Sequence, residues 1–421
     1  MGWKEDKKET KVSPYAAFQV PEFVPFLAAR FFLTMAIQMQ GVLVGWQVYA
    51  LTKNVFALGM IGLTEAIPFI VTSVFSGHIA DSFERRKIIR IASLFFMLAT
   101  CALFLFSLND EAILKKFGSS PIFIIIIIVG ITRGFLSPAV PSLLTQIVPR
   151  NLYGNSATWN TTVWHIGAIA GPALAGILFG YFGPTVSYGV NVGFLVISLF
   201  FFSLLSSRPL PMKQTKEPIR ESLTVGVKFV FKHPIILGAL SLDLFAVLFG
   251  GAVAMLPAIA DQVLHVGAKE LGILRAAPAM GAVIMAMVLA YFPPIKNSGK
   301  KLLLAVVAFG VFTILFALST NFYLSLILLM LTGAFDNVSV VIRHTILQLL
   351  TPDEMRGRVS SVNSIFIGSS NEIGAFESGL AASLLGLIPS VFFGGIMTIL
   401  VVILVSKLSP GLRNFQLNKV Q

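Results

Sequence analysis

Long apolar runs follow one another along almost the whole chain, separated by short polar segments. Each run holds about 20 or more residues, enough for one helix to cross the hydrocarbon core of a bilayer. Six runs precede a longer polar segment and six follow it, so the pattern predicts an all-α membrane protein with twelve spanning helices. The predicted spans are residues 22–50, 55–80, 88–108, 121–148, 154–181, 186–206, 235–264, 270–292, 301–318, 322–350, 356–386 and 389–407.

The cationic residues concentrate on one side of these spans. Counting those at span ends with the nearer side, 23 of the 31 Lys and Arg residues fall on the side that carries the N-terminus and four fall on the opposite side. The remaining four lie within spans: Arg30, Arg133, Arg275 and Arg343. Cytoplasmic loops carry the excess of Lys and Arg in membrane proteins. We therefore expect a cytoplasmic (inner) membrane protein with an even number of spans and two cytoplasmic tails, at residues 1–21 and 408–421.

The two halves of the chain share a short pattern. A proline, a glycine and an asparagine recur 203 residues apart, in each case where the chain enters the fifth span of its half: Pro149, Gly154 and Asn160, then Pro352, Gly357 and Asn363. This favours two parallel six-helix repeats. We expect bundles at residues 22–206 and 235–407, joined by a cytoplasmic linker at 207–234 that is partly helical on the membrane surface.

Composition excludes several classes of protein. The chain is 56% hydrophobic and 12% charged, whereas soluble domains carry about 25% charged residues. The net charge of +12 lies in short loops, so we expect contact with anionic membrane lipids rather than with nucleic acid. Cys101 is the single cysteine, which excludes an internal disulfide and a cysteine metal cluster. Phosphate-loop, zinc-protease and serine-hydrolase motifs are missing from the sequence, so we expect neither an enzyme nor a bound cofactor.

Charged residues inside spans are costly and indicate function by default. In the first half, Glu65 lies mid-span, and Arg30 and Arg133 are both plausible partners. The sequence leaves two interpretations open: a carboxyl group that exchanges a proton during transport, or a structural ion pair between helices.

Other polar residues in spans are candidates for a substrate cavity. In the second half, Asp243 could pair with Arg343, and one of Glu372 and Glu377 could line a cavity while the other binds a neighbouring helix. In the first span, polar and aromatic residues either line a cavity for an amphipathic ligand or bond to other helices. The full set of cavity candidates is Gln38, Trp46, Gln47, Asp243, Asp336, Arg343, Glu372 and Glu377.

Two short motifs stand out at the span ends. The spacing Gly-x-x-x-Asp-x-x-x-Arg-Arg joins the second and third spans, and it is either a basic loop that fixes topology or a brace between helices. A run of small residues with a proline lies in the fifth span and predicts close helix packing with a bend. The residues concerned are Gly77, Asp81, Arg85 and Arg86 in the loop, and Gly167, Gly171, Pro172 and Gly176 in the span.

These motifs resemble those of the major facilitator superfamily, in particular its branch of siderophore and drug exporters. The loop is similar to the superfamily signature, with Ser82 and Glu84 as departures, and the fifth span resembles the antiporter motif, with Ala175 as the departure. The resemblance implies alternating access around a central site. It also implies a cytoplasmic gate at Asp81, Arg85 and Arg86.

The resemblance implies a monomeric, proton-coupled exporter of small amphipathic molecules, in which Glu65, tuned by Arg30 or Arg133, exchanges its proton for substrate. Two alternatives stay open. One is a lysophospholipid flippase with the same fold. The other is a uniporter or metal exporter with oxygen and nitrogen ligands from Asp243, Asp336, Glu372 or His165. The sequence has no cluster of ligands at short spacing, so we expect no metal site.

Overall fold

The computed structural model describes residues 13–108, 112–208, 219–352 and 355–417. The helices in these ranges are α1 (Phe23–Thr52), α2 (Val55–Ser82), α3 (Arg85–Phe106), α4 (Ala112–Phe117), α5 (Ser120–Ile147), α6 (Tyr153–Leu204), α7 (Ile219–Lys232), α8 (Pro234–Phe249), α9 (Leu256–Gln262), α10 (Ala268–Tyr291), α11 (Ser298–Leu318), α12 (Phe322–Leu350), α13 (Arg356–Leu385), α14 (Leu387–Leu408) and α15 (Pro410–Arg413).

The helices account for twelve membrane crossings within the described residues. Ten helical segments there are long and apolar enough to cross a membrane. One of them contains α6, which is 52 residues long and is broken at Gly183, where φ is 77° and Pro184 follows, so it supplies two crossings. The more polar α13 is 30 residues long and supplies the twelfth. The predicted all-α fold with twelve spans is confirmed.

The seventh crossing differs from the prediction of one continuous helix over 235–264. Helix α8 ends at Phe249, and the chain passes through Gly250, Gly251 and a 3₁₀ turn before α9 begins at Leu256. Two consecutive glycines weaken a helix, because glycine loses the most backbone freedom on folding. The break also lets the backbone approach α13, since a methyl group on Gly251 would lie 2.8 Å from the carbonyl oxygen of Gly374.

Two six-helix halves pack against each other. The N-half (Phe23–Leu204) meets the C-half (Pro234–Leu408) mainly where α2 packs on α13 and where the first part of α6 packs on α10. Helix α7 belongs to the predicted linker and packs on α13, with Gly226 beside the backbone of Arg358. The exact boundaries of the tails, bundles and linker stay a prediction, and residues 1–12 and 209–218 lie outside the described ranges.

The two ends of the bundle carry different segments of the chain. The tail side is the end where α1 begins and α14 ends, and it also carries α7. The far side is the opposite end, where α1 ends at Thr52 and α9 ends at Gln262.

Candidate functional site

A central cavity of about 560 Å³ lies between the two halves. Its volume falls in the range of about 300–1,000 Å³ that is typical of small-molecule sites. Helices from both halves line it, including α1, α2 and α5 on one side and α10, α12 and α13 on the other. Among the described residues, its charged lining consists of Glu65, Arg133, Arg275, Asp336 and Glu372.

Arg133 is the centre of a charge cluster in this cavity. Its guanidinium Nη1 forms an ion pair with Glu65 on α2, in the same half, and a second one with Glu372 Oε1 on α13, in the other half, at 2.9 Å. The guanidinium also lies over the ring of Phe69, with 5.9 Å between Cζ and the ring centroid. One arginine on α5 therefore connects the two halves of the molecule near their middle.

Two glycines allow the three helices of this cluster to approach closely. A methyl group on Gly130 of α5 would lie 2.6 Å from the carbonyl oxygen of Glu65. A methyl group on Gly62 of α2 would lie 2.7 Å from the carbonyl oxygen of Glu372. Small residues permit such backbone contacts between membrane helices. A larger residue at either position would move one carboxylate away from Arg133.

Arg275 on α10 is a further charged residue of the cavity. Its Nη1 donates a hydrogen bond to the carbonyl oxygen of Val253 at 2.7 Å. This carbonyl lies in the 3₁₀ turn (Ala252–Met255) that interrupts the seventh crossing. Sequence reasoning noted Arg275 as an arginine within a span but did not place it in a site. A charge buried inside a span is costly, and this cost is the signal in the sequence that could have indicated a role for Arg275 in the site.

The cavity includes three of the eight predicted cavity residues: Gln38, Asp336 and Glu372 all line it. The other five lie elsewhere. Trp46 packs against the apolar core. The buried Gln47 side chain accepts a hydrogen bond from the Tyr188 hydroxyl at 2.7 Å. Glu377 is one and a half turns beyond Glu372 on α13 and is not among the described residues that line the cavity.

Asp243 and Arg343 form an ion pair with each other inside the C-half. Both side chains are buried, at 8% and 2% exposure. The sequence-based suggestion that Asp243 pairs with Arg343 agrees with this geometry. The prediction that both Arg343 and Asp336 line the substrate cavity does not agree with it. Arg343 lies two turns beyond Asp336 on α12, and only Asp336 belongs to the lining.

Of the two proposed partners of Glu65, the structure brings Arg133 to it. Arg30 lies near the tail-side end of α1, and its buried Nε atom has no hydrogen-bond partner in the described part of the chain. Arg30 is therefore placed apart from the Glu65 ion pair.

The predicted tail-side brace is described in part. The surroundings of Gly77 and the side chain of Asp81 lie outside what the structure describes. Arg85 Nη1 donates to the carbonyl oxygen of Ser142 at 3.0 Å, and Arg86 Nη2 donates to that of Ser203 at 2.8 Å. These bonds tie the start of α3 to the tail-side ends of α5 and α6, within the N-half. The gate role of the motif stays a prediction.

The small-residue motif of α6 forms a seam with two other helices. Gly167 and Gly171 pack on α1, beside Thr34 and Met35, and Gly176 packs on Gly272 of α10 in the other half. A methyl group on Gly176 would lie 2.8 Å from Gly272 Cα. Pro172 is part of this seam, since its carbonyl oxygen faces Gly272. The motif therefore contributes to close contact between the halves.

Hydrogen bonds also join the halves on the far side. Lys53 Nζ lies 2.9 Å from Asp261 Oδ2, and the Tyr49 hydroxyl donates to the same oxygen at 3.3 Å. Gln262 Nε2 donates to the Tyr49 hydroxyl at 2.7 Å. Lys269 reaches the Tyr181 hydroxyl at 3.1 Å. We call Tyr49, Lys53, Asp261 and Gln262 the far-side latch, because their hydrogen bonds join the two halves at that end.

The family model described as transmembrane secretion effector matches residues 12–418. The chain belongs to this family of the major facilitator superfamily. The enterobactin exporters of Citrobacter koseri and Escherichia coli O1:K1 are each 26% identical to it over 402 residues, which cover 94% of this chain and 94% of theirs.

Solved transporters share the fold of this family member. A D-xylose–proton symporter superimposes with a TM-score of 0.72 at 13% identity, covering 95% of this chain and 100% of the symporter. An inward-facing, unoccupied bacterial homologue of the human lysosomal transporter Spinster gives a TM-score of 0.67 at 14% identity, covering 93% and 96%. This protein is therefore a multi-pass membrane transporter of small molecules and not an enzyme.

Proposed function

We propose that this protein is a proton-coupled exporter of small amphipathic molecules in the inner membrane, working by alternating access. The observation that carries the proposal is the Arg133 bridge, in which one arginine binds a carboxylate from each half at the wall of the cavity. The naming of relatives as enterobactin exporters supports the direction of transport. The excess of Lys and Arg on the tail side supports placing that side in the cytoplasm.

A change of access affects the two carboxylates of the Arg133 bridge differently. Glu65 and Arg133 lie in the same half and move together, whereas Glu372 lies in the other half. Rocking of the halves around the central site separates Glu372 from Arg133 and leaves the Glu65 pair intact. Glu372 is thus the carboxylate whose partner changes during the cycle.

This difference couples protons to access. With the far side closed, Arg133 stabilises the ionised form of Glu372. When the far side opens, Glu372 loses this cation and takes up a proton from outside, since an unpaired charge in a low-dielectric site is costly. Return to the far-closed arrangement brings Arg133 back and releases the proton into the cytoplasm. Each proton moving inward gains about 2.3 kcal/mol per 100 mV of membrane potential.

The test is transport in liposomes with an imposed pH gradient. Three probes are offered: a catechol siderophore, a fluorescent amphipathic cation and a labelled lysophospholipid. Wild-type protein should drive one of the first two against its gradient, and movement of the lysophospholipid without a pH gradient would favour the flippase alternative. Glu65→Gln and Glu372→Gln are compared with Glu377→Gln, a carboxylate of α13 that does not belong to the described cavity lining.

Glu372→Gln should lose gradient-driven accumulation by about tenfold or more and keep substrate exchange, because glutamine imitates the protonated carboxyl group. Glu65→Gln should weaken accumulation, because Arg133 then lacks its fixed partner. Glu377→Gln should transport within about twofold of wild type. Full gradient-driven transport in both Glu65→Gln and Glu372→Gln would contradict the coupling role of the bridge.

A further inference from the structure

The charges that line the cavity do not balance. The described lining holds three carboxylates, Glu65, Asp336 and Glu372, and two guanidinium groups, Arg133 and Arg275. Arg133 binds both glutamates directly. Arg275, on α10, donates a hydrogen bond to the carbonyl oxygen of Val253. The described lining therefore holds one more carboxylate than guanidinium groups, and Asp336 is its carboxylate without an ion pair.

Asp336 is separate from these ion pairs. It lies on α12 in the C-half and has neither an ion pair nor a side-chain hydrogen bond within the described residues. The nearest cation along its own helix is Arg343, two turns away, which is paired with Asp243. A polar group that faces a cavity without a partner is costly unless a ligand supplies one.

The rest of the lining suits the apolar part of such a ligand. Phe69, Phe96 and Trp164 line the cavity from the N-half, and Phe309 and Phe316 line it from the C-half. Aromatic faces attract cations and also bury apolar surface. Aromatic rings and one carboxylate without an ion pair are the complement of a molecule with a positive group on a large apolar body.

We propose that the substrates of this transporter are amphipathic cations whose positive group pairs with Asp336 while their apolar body packs against the aromatic lining. This assignment of substrate class rests on the proposed transport function. It differs from what the names of the relatives suggest, because enterobactin carries no cationic group to meet Asp336. An anionic substrate would bring like charge to that carboxylate, which is unfavourable.

The test uses two ions of the same shape and opposite charge. Tetraphenylphosphonium and tetraphenylborate each present four phenyl rings around one central atom. Equilibrium dialysis with purified wild-type protein in detergent, corrected with empty micelles, should give at least about tenfold tighter binding of the phosphonium, a difference of about 1.4 kcal/mol. Equal binding of the two ions, or tighter binding of the borate, would overturn the proposal without any variant.

Variants then assign the charge preference to one residue. Asp336→Asn should reduce phosphonium affinity by about tenfold or more and reduce the preference over borate, while Asp336→Glu should restore part of it. Glu377→Gln is the matched control and should bind like wild type. Unchanged phosphonium binding in Asp336→Asn would contradict the role of Asp336. If that variant does not fold, the comparison of the two ions on wild-type protein still tests the proposed preference for cations.

Binding and transport separate this inference from the proposed function. Phosphonium binding through Asp336 with no transport driven by a pH gradient would contradict the exporter proposal and leave the ligand assignment standing. Proton-driven export of neutral or anionic solutes, without selective phosphonium binding, would contradict the ligand assignment and leave the exporter proposal standing.

Discussion

Two arginines inside spans, Arg133 and Arg343, give the same signal in the sequence and have different surroundings in the structure. Arg133 lies at a cavity with 33% of its side chain exposed and binds carboxylates from both halves. Arg343 is 2% exposed and is paired with one aspartate of its own half.

The difference shows which property separates a moving charge from a fixed one. An ion pair inside one half keeps its partner through a rocking motion, so it contributes to the stability of that half. A pair between halves must break when access changes, so it contributes to the energy of the switch. What distinguishes the two arginines is therefore the location of their partners, and each of the following predictions tests that distinction.

The largest effect should follow from breaking the pair inside the C-half. Asp243→Asn leaves Arg343 buried without a counter-charge, which costs about 3–5 kcal/mol of stability. Unfolding in mixed detergent, followed by circular dichroism, measures this loss. Glu372→Gln should cost about 1 kcal/mol or less in the same assay, because Arg133 keeps Glu65. Equal losses in the two variants would contradict the comparison.

Removing both members of the internal pair sharpens the comparison. Asp243→Leu combined with Arg343→Met should recover stability to within about 2 kcal/mol of wild type, since apolar residues can replace a buried ion pair. Gradient-driven transport by this double variant should also be retained. Loss of transport in a stable double variant would show that Asp243 and Arg343 have a role in the cycle.

A conservative change at Arg133 should act on transport and leave folding intact. Lysine keeps the positive charge but has no planar guanidinium with which to hold two carboxylates at once. Arg133→Lys should therefore lower gradient-driven transport by about tenfold, at an unchanged yield of folded protein. Liposome transport and size-exclusion chromatography measure the two quantities, and full activity would show that a bridge of this geometry is not needed.

The smallest effect should come from a third arginine pair, at the edge of the N-half. Glu22 accepts hydrogen bonds from the Ser206 backbone at 3.2 Å and from Arg208 at 2.8 Å. Burial acts to raise the pKa of Glu22, but the hydrogen bonds from Ser206 and Arg208 outweigh it, so the pKa is lowered.

A lowered carboxyl pKa gives stability that is present above the ordinary value of about 4.3 and is lost as pH falls through the lower value in the folded protein. Because the pair is partly exposed, the contribution should be about 0.5 kcal/mol. Glu22→Gln should remove the contribution of Glu22 to the pH dependence of the free energy of unfolding. Unfolding is measured from about pH 3 to about pH 6, a range that includes that pKa. An unchanged pH profile would contradict the assignment.

The fold was predictable because apolar runs and the distribution of Lys and Arg repeat along the whole chain. The twelve spans depend on local hydrophobicity, and the structure places them within a few residues of the prediction. The break at Gly250 and Gly251 was missed, although two adjacent glycines were a visible signal.

The site was predictable only where its residues belong to one half. Glu65 and Arg133 could be proposed as partners because both lie mid-span in the same bundle, but the choice between Arg133 and Arg30 needed the packing of α5 on α2. The contact between Arg133 and Glu372 depends on how α2 packs on α13, and that contact leaves no periodic pattern in either segment. Candidates such as Gln47 and Arg343 share the residue types of the cavity but have partners inside their own half.

The most direct test of the coupling claim is the distance between the halves on the far side, measured by pulsed electron paramagnetic resonance. Spin labels are placed at the exposed residues Phe117 and Tyr323 in a Cys101→Ala background, so that only two cysteines react. Glu372→Gln should shift the population toward longer far-side distances at neutral pH, as acidification does in the wild type, whereas Glu377→Gln should not. Identical distance distributions in wild type and Glu372→Gln at every pH would contradict the claim that the Arg133 bridge connects protonation to access.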